Sequence, residues 1–143
     1  MSEAAATKSI VVHTSAERLF AVIIDYEAYP QFLSNMKAVR LIKREGNKAE
    51  VEFDFVLLGK SFSYTLEFEE NRPKGVKWRL VRSTFVQENH GSWGLRADGE
   101  TKTHATYSLE IKLKLPLPKS TSTAIAGAEL PKILEAFKKR AEG

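Results

Sequence analysis

The sequence of 143 residues contains no cysteine. It therefore has no disulfide, no thiolate nucleophile and no thiolate ligand for a metal. It also lacks a run of about 18 apolar residues, so we predict no transmembrane helix. The segment 1–8 is rich in alanine and lacks the parts of a signal peptide. We expect a cytoplasmic protein with a disordered segment 1–8 and a single domain over 9–143.

Histidine is also scarce, with three in the chain, and the three form no metal-ligand pattern. The letters Gly59-Lys60-Ser61 end like a phosphate-binding loop. The first glycine of such a loop is absent at the required distance, and the segment lies in a predicted hairpin. The sequence thus predicts no metal, no cofactor and no catalytic residue.

The charge balance is mildly basic, because Lys and Arg exceed Asp and Glu by 22 − 18 = 4. These cations are spread along the chain and alternate with acidic or apolar residues. Nucleic-acid binding usually needs a clustered basic face, and none is evident. We interpret the charges as solvated strand faces and predict no nucleic-acid partner.

Hydrophobic periodicity predicts an α+β fold. Thr14 and Glu17 have the spacing of a capping box, which predicts a first short helix. Pro30 interrupts a second helical pattern over 25–35. From Met36 onward the apolar residues recur with period two. We predict seven consecutive antiparallel strands with both short helices between the first two, at 9–14, 37–44, 51–57, 62–69, 76–80, 89–96 and 101–115.

A sheet with one apolar face needs a cover, and the C-terminal segment can supply it. Its apolar residues recur at helical spacing: Ala126, Leu130, Ile133, Leu134, Phe137 and Ala141. Pro131 should kink this helix or mark its start. The small residues around Gly127 leave room for a bound molecule, or else they allow close packing of the helix on the sheet. Both interpretations remain open.

Turn geometry decides which side chains face the helix. A two-residue turn at Gly59-Lys60 would pair Leu57 with Phe62 and place both apolar rows on one face. At Asp98-Gly99 a two-residue turn would turn His90 inward, whereas a turn with a Gly99 bulge would turn it outward. We favour the bulge, because it buries Trp93 and Leu95 and brings Asn89 inward.

The segment Asp25–Phe32 with its Tyr29-Pro30 pair, the Gly91-x-Trp93 pair and the order of elements resemble the START-like (SRPBCC, helix-grip) superfamily. The nearest group is the polyketide cyclase/dehydrase and coenzyme-Q-binding proteins. The resemblance implies a curved sheet around the last helix with a hydrophobic cavity between them. Members carry lipids, sterols, ubiquinone-like isoprenoids or polyketides, and some are cyclases or regulators.

The wide end of the concave face is the expected cavity. Arg82 would reach its mouth if it continues the inward row of its strand, and the side on which Arg40 lies depends on a turn. Alternatively, both arginines extend to the surface. The candidate lining residues are Tyr29, Phe32, Phe53, Phe55, Tyr64, Trp78, Arg82, Asn89, Trp93, Tyr107 and Gly127.

We predict that this cavity binds a hydrophobic small molecule, such as a lipid, an isoprenoid quinone or a polyketide-like compound, for transport or chaperoning. Transient contact with a membrane is compatible with that role. One alternative is a polyketide cyclase/aromatase or dehydratase, in which polar lining groups polarise carbonyls. Another is a regulator that binds a macromolecule through the outer face of the sheet.

Overall fold

The computed structural model describes residues 2–57, 59–83, 86–113 and 119–143, and for residues 2–4, 57, 60, 113 and 119–130 it describes the backbone alone. Seven strands, one α-helix and one 3₁₀ helix precede a long C-terminal α-helix. In chain order they are β1 (Ser2–Val12), α1 (Ala16–Ile23), the 3₁₀ helix (Tyr26–Gln31), β2 (Met36–Glu45), β3 (Lys48–Leu57), β4 (Lys60–Asn71), β5 (Gly75–Ser83), β6 (Val86–Ala97), β7 (Thr103–Leu113) and α2 (Lys119–Glu142).

The seven strands form one antiparallel sheet in the order β1-β7-β6-β5-β4-β3-β2. Strands β2 to β7 are therefore a meander, and the chain crosses from β1 at one edge to β2 at the other. The two short helices make that crossing. The α+β fold predicted from periodicity is confirmed, and so is the helix-grip arrangement that the family resemblance implied. None of the described helices is long and apolar enough to span a bilayer.

The first strand begins at Ser2, seven residues earlier than the period-two pattern indicated. The expectation that segment 1–8 is disordered is corrected, because residues from Ser2 onward pair with β7. Hydroxyl groups join the two strands on the outer face, with Thr7 Oγ1 3.2 Å from Ser108 Oγ and Ser9 Oγ 3.0 Å from Thr106 Oγ1. The pairing rests on backbone hydrogen bonds, which the side-chain pattern of an alanine-rich segment does not reveal.

The hairpin registers decide which residues face inward. Trp93 pairs with Tyr107 and His90 with Glu110, so the prediction of an outward His90 is confirmed. Gly99 has the left-handed conformation that the favoured turn requires (φ 77°). In the β3–β4 hairpin, Leu57 pairs with Lys60 and not with Phe62 as predicted. A shift by two residues leaves every side chain on its predicted face.

The two short helices are held by local contacts that differ slightly from the predicted ones. Ser15, one residue after the predicted Thr14, caps α1, and its Oγ accepts a hydrogen bond from the Arg18 N–H at 3.1 Å. In the 3₁₀ helix, the Tyr26 hydroxyl donates to Glu70 Oε2 at 2.6 Å. The Arg44 guanidinium also donates to both oxygens of Glu70, at 2.9 and 3.0 Å. This shared carboxylate ties the helical segment to the sheet.

Helix α2 runs through Pro131, so that residue is not its start. The last turns are anchored to the beginning of the chain. Lys138 Nζ donates to the Val11 carbonyl at 2.7 Å and to Glu142 Oε2 at 2.8 Å. The same Glu142 oxygen accepts from the His13 backbone N–H at 2.8 Å. These bonds hold the pKa of the Glu142 carboxyl below its usual range, since each donor favours the ionised form.

Candidate ligand-binding site

At one end of the concave sheet the interior is filled. Phe137 of α2 lies at the centre of an aromatic cluster, with ring centroids 5.3 Å from Tyr29, 5.1 Å from Phe32 and 5.2 Å from Trp93. Neighbouring side chains on the sheet, α1 and α2 are fully buried, among them Leu19, Phe20, Ile23, Val51 and Leu134. This end is packed core, and Phe32 lies at its boundary with the rest of the concave face.

At the other end many of the inward-facing side chains are only half-buried, although Phe62, which pairs with Phe55 there, is buried. Along β3 the burial falls from Phe53 to Phe55, and along β7 it falls from Tyr107 to Leu109. The pairing of the strands places these positions at the same end of the sheet. The half-buried apolar side chains there are Phe32, Leu33, Met36, Phe55, Tyr64, Leu80, Leu109 and Ile111. We call these eight residues the open end.

Most of the predicted lining residues lie on the concave side. The ring centroid of Phe53 lies 6.1 Å from that of Tyr29 and 5.3 Å from that of Tyr64. The ring centroid of Tyr107 lies 5.4 Å from that of Trp78 and 5.0 Å from that of Trp93. Gly127 lies outside the residues whose surroundings the structure describes. The predicted lining residues that face the interior are Tyr29, Phe32, Phe53, Phe55, Tyr64, Trp78, Asn89, Trp93 and Tyr107.

Arg82 does not line the cavity, which corrects the prediction. The pairing of β4 with β5 shifts register between Thr65 and Leu66, because Leu80 pairs with Leu66 but Arg82 pairs with Thr65. The shift moves Arg82 to the outer face, where its side chain is 57% exposed and lies 3.8 Å from Glu50. Arg40, whose side was left open, is also on the outer face, with its guanidinium on Glu52 and Asp54.

Sequence reasoning identified Gly91 only as a family mark, and the structure shows what it does. Trp78 pairs with Gly91 across β5 and β6. A Cβ atom at Gly91 would lie 2.5 Å from Cζ2 of the Trp78 ring and would also collide with the carbonyl oxygen of Ser108. The indole ring therefore lies against the backbone of β6, and only glycine permits that approach.

Several polar groups lie among the apolar residues of the interior. Trp78 Nε1 donates to Asn89 Oδ1 at 3.1 Å, and the Tyr29 hydroxyl donates to the carbonyl oxygen of Ile23. Within the described part of the chain, no hydrogen-bond partner contacts the hydroxyl of Tyr64 or Tyr107. Burial raises the pKa of both tyrosines, which therefore stay protonated near neutral pH.

Tyrosine-to-phenylalanine substitutions should distinguish a hydroxyl that is hydrogen-bonded to a described residue from one that is not. Tyr26→Phe removes a bond to the carboxylate of Glu70 and leaves that acceptor short of a donor. We expect it to lower the free energy of unfolding by about 1–3 kcal/mol. Tyr107→Phe removes a buried hydroxyl for which the described part of the chain supplies no partner, and it should leave stability unchanged or slightly raised. Urea unfolding of both variants checks this, and equal losses would show that Tyr107 has a structural partner.

Charge is confined mainly to the outer face. Arg79 pairs with Glu67 at 3.1 Å there, and Lys112 lies 3.9 Å from Glu88. Over residues 2–57, 59–83, 86–113 and 119–143, the structure shows no cluster of three metal-ligating side chains. The expectation that the outer face binds no nucleic acid stays a prediction. What the geometry provides for a ligand is an apolar concavity with a few neutral polar groups.

A model of the family described as polyketide cyclase/dehydrase and lipid transport matches residues 12–138. The chain belongs to this family. The match covers all the elements that form the open end. No protein of curated function matches the chain in sequence.

Solved structures share the fold of this family member at low sequence identity. A START superfamily protein from Mycobacterium smegmatis is 22% identical with a TM-score of 0.87, over 96% of this chain and 97% of that one. The Zhui aromatase/cyclase from Streptomyces sp. R1128 is 13% identical with a TM-score of 0.85, over 98% and 94%. A STAR-related lipid transfer protein from Xanthomonas axonopodis is 14% identical with a TM-score of 0.82, over 96% and 85%. These likenesses establish the START-like fold and leave the ligand to be argued from this chain's own residues.

Proposed function

We propose that this protein binds a hydrophobic small molecule at the open end of its sheet and carries or chaperones it in the cytoplasm. The observation that supports this function is the fall in burial toward the open end. Apolar side chains on the concave face of a folded domain are normally covered. Here the side chains of Leu80, Leu109 and Ile111 are covered only in part, as expected for a surface that a bound ligand would cover.

The driving force would be burial of apolar surface, worth about 25 cal/mol per Å² removed from water. None of the eight residues of the open end is charged. Lipids, isoprenoid quinones and polyketide-like compounds all present the extended apolar surface that such a site takes up. The family's description includes lipid transport, which agrees with the proposal.

Catalysis is the second candidate function, since the same family description includes polyketide cyclases and dehydrases. The feature of this chain that favours it is the pair of hydroxyls on Tyr64 and Tyr107, which have no hydrogen-bond partner among the described residues. Positioned hydroxyls can polarise a carbonyl and hold a flexible polyketone in a reactive geometry. Turnover of a poly-β-ketone chain, lost in a Tyr64→Phe/Tyr107→Phe variant, would establish this function in place of simple binding.

Filling the open end should weaken binding. We expect the protein to bind 1,6-diphenylhexatriene, a fluorescent hydrocarbon with no polar atoms. Leu109→Trp adds bulk at the open end and should weaken that binding about tenfold or more. The matched control is Leu41→Trp, because Leu41 is 38% exposed on edge strand β2 and should tolerate the larger side chain.

Fluorescence titration measures both affinities, and native mass spectrometry detects any lipid or quinone that stays bound through purification. A clean unliganded mass, together with no binding of hydrocarbon, lipid or isoprenoid quinone, would refute the proposed function. Equal weakening by the two Leu→Trp substitutions would place the binding site elsewhere.

A further inference from the structure

The hydrogen bond between Trp78 and Asn89 determines which polar atom of the Asn89 side chain is left to bind a ligand. Indole Nε1 is only a donor, so the side-chain atom that faces it must be the amide oxygen of Asn89. The amide nitrogen then points away from Trp78 with two N–H donors. Asn89 is 5% exposed, and no described residue accepts a hydrogen bond from that nitrogen. Asn89 thus contributes two buried donors without an acceptor among the described residues.

Two hydroxyls add to these donors from neighbouring strands. Tyr107 is 8% exposed, and its ring packs 5.4 Å from that of Trp78, which links it to Asn89. Tyr64 belongs to the open end, with its ring 5.1 Å from Phe55. Ring contacts connect Tyr64 to Trp78 through Phe53 and Phe68, with centroids 5.3, 6.0 and 5.7 Å apart in turn. Neither hydroxyl has a described hydrogen-bond partner.

We propose that Asn89, Tyr64 and Tyr107 form a donor set that selects a neutral, carbonyl-bearing hydrophobic molecule. This proposal rests on the function proposed above and names the chemistry of its ligand. Buried donors without partners are costly, and an oxygen atom of the ligand removes that cost. A hydrocarbon of the same shape leaves the donors unpaired, so it should bind less tightly.

The surroundings of the donor set also discriminate against anions. No Lys, Arg or His is among the eight residues of the open end, and Arg82 lies on the outer face. The Arg140 guanidinium lies 5.3 Å over the ring of Phe32 at the rim and donates to Gln31 Oε1. The same burial that raises the pKa of Tyr64 and Tyr107 disfavours a negative charge beside them. A carboxylate beside Tyr64 and Tyr107 would lose its hydration without an ion-pair partner among the described side chains that contact these two rings. The proposed ligand is therefore a ketone, ester or quinone and not a fatty acid bound by its head group.

Three ligands of nearly identical shape test the proposal. They are 2-acetylnaphthalene, 2-isopropenylnaphthalene, in which a CH₂ group replaces the carbonyl oxygen, and 2-naphthoate. We expect the wild-type protein at pH 7 to bind the ketone about five- to tenfold more tightly than the hydrocarbon, the range expected for one or two net hydrogen bonds. The naphthoate should bind least tightly. Isothermal titration calorimetry gives all three affinities.

The double variant Tyr64→Phe/Tyr107→Phe should reduce the preference for the ketone to about twofold or less. Its affinity for the hydrocarbon should stay the same, which also shows that the site is still folded. Tyr26→Phe is the matched control, because it removes a hydroxyl that is bound to Glu70, and it should keep the full preference.

Each contrary outcome has a distinct meaning. Equal binding of ketone and hydrocarbon by the wild type overturns the donor set, and an undiminished preference in the double variant removes the two hydroxyls from it. The proposed function stands in both cases. Tightest binding of the naphthoate overturns the selection of neutral ligands. If none of the three ligands binds and 1,6-diphenylhexatriene does not bind either, both the donor set and the proposed function fail.

Discussion

Replacing Phe137 by alanine is expected to lower the free energy of unfolding by about 3–5 kcal/mol. Phe137 is 3% exposed and lies between the rings of Tyr29, Phe32 and Trp93. Those rings come from the 3₁₀ helix, the residue that follows it and the sheet, so they cannot collapse together into the space left by the lost side chain. The truncated side chain would leave a cavity at the closed end of the interior.

Chemical unfolding of three variants measures this effect. Phe137→Leu keeps part of the volume and should lose less stability than Phe137→Ala. Lys139→Ala, at an exposed position of the same helix, controls for changes in helix propensity and should alter stability by less than about 0.5 kcal/mol. A loss below about 1 kcal/mol for Phe137→Ala would mean that this end of α2 does not close the core.

The second large effect is expected for Gly91→Ala, which should cost about 2–3 kcal/mol although it adds only one methyl group. The new Cβ would lie 2.5 and 2.9 Å from two atoms of the Trp78 ring. It would also meet the carbonyl oxygen of Ser108, which is backbone and cannot rotate away. Overpacking of this kind forces shifts in strands and side chains. Because Trp78 orients Asn89, the substitution should also weaken ligand binding.

Gly94→Ala is a control on the same strand. Nothing lies within 4 Å of a Cβ atom built at Gly94, and that residue does not have a left-handed backbone. We expect its stability to match that of the wild type or to exceed it slightly, since alanine restricts the unfolded chain. Thermal unfolding and tryptophan fluorescence report on both variants. Similar losses of stability in the two variants would mean that replacing either glycine of β6 destabilises the protein, and that the contact with Trp78 is not the cause.

The fold could be predicted because its main signals are periodic. Alternating apolar residues from Val51 to Phe68 specify strands with one buried face, and a slip of two residues in their hairpin leaves that face unchanged. Helical spacing identified Phe137 as a buried position of the last helix. The direction of His90 followed from comparing the burial of whole rows, because burying a row of large side chains contributes more free energy than any single turn preference.

The candidate site was less predictable because it depends on local irregularities. A single register shift between Thr65 and Leu66 sends Arg82 outward, and the sequence carries no signal for that shift. The bond from Trp78 to Asn89 joins two strands, and only the register shows that the two side chains meet. Tyr64 and Tyr107 were placed on the correct face, but their lack of partners among the described residues is a property of the packed structure.

The pairing of β1 with β7 has a consequence for the synthesis of the protein. Val12 pairs with Thr103 and Ser2 with Leu113, so the first strand to leave the ribosome binds the last one. Until β7 emerges, β1 has no strand to pair with, and non-local pairings of this kind slow folding. Its Thr7, Lys8 and Ser9 side chains make the waiting segment polar, which protects it from association with other nascent chains. The sheet can be completed only after nearly the whole domain has been made.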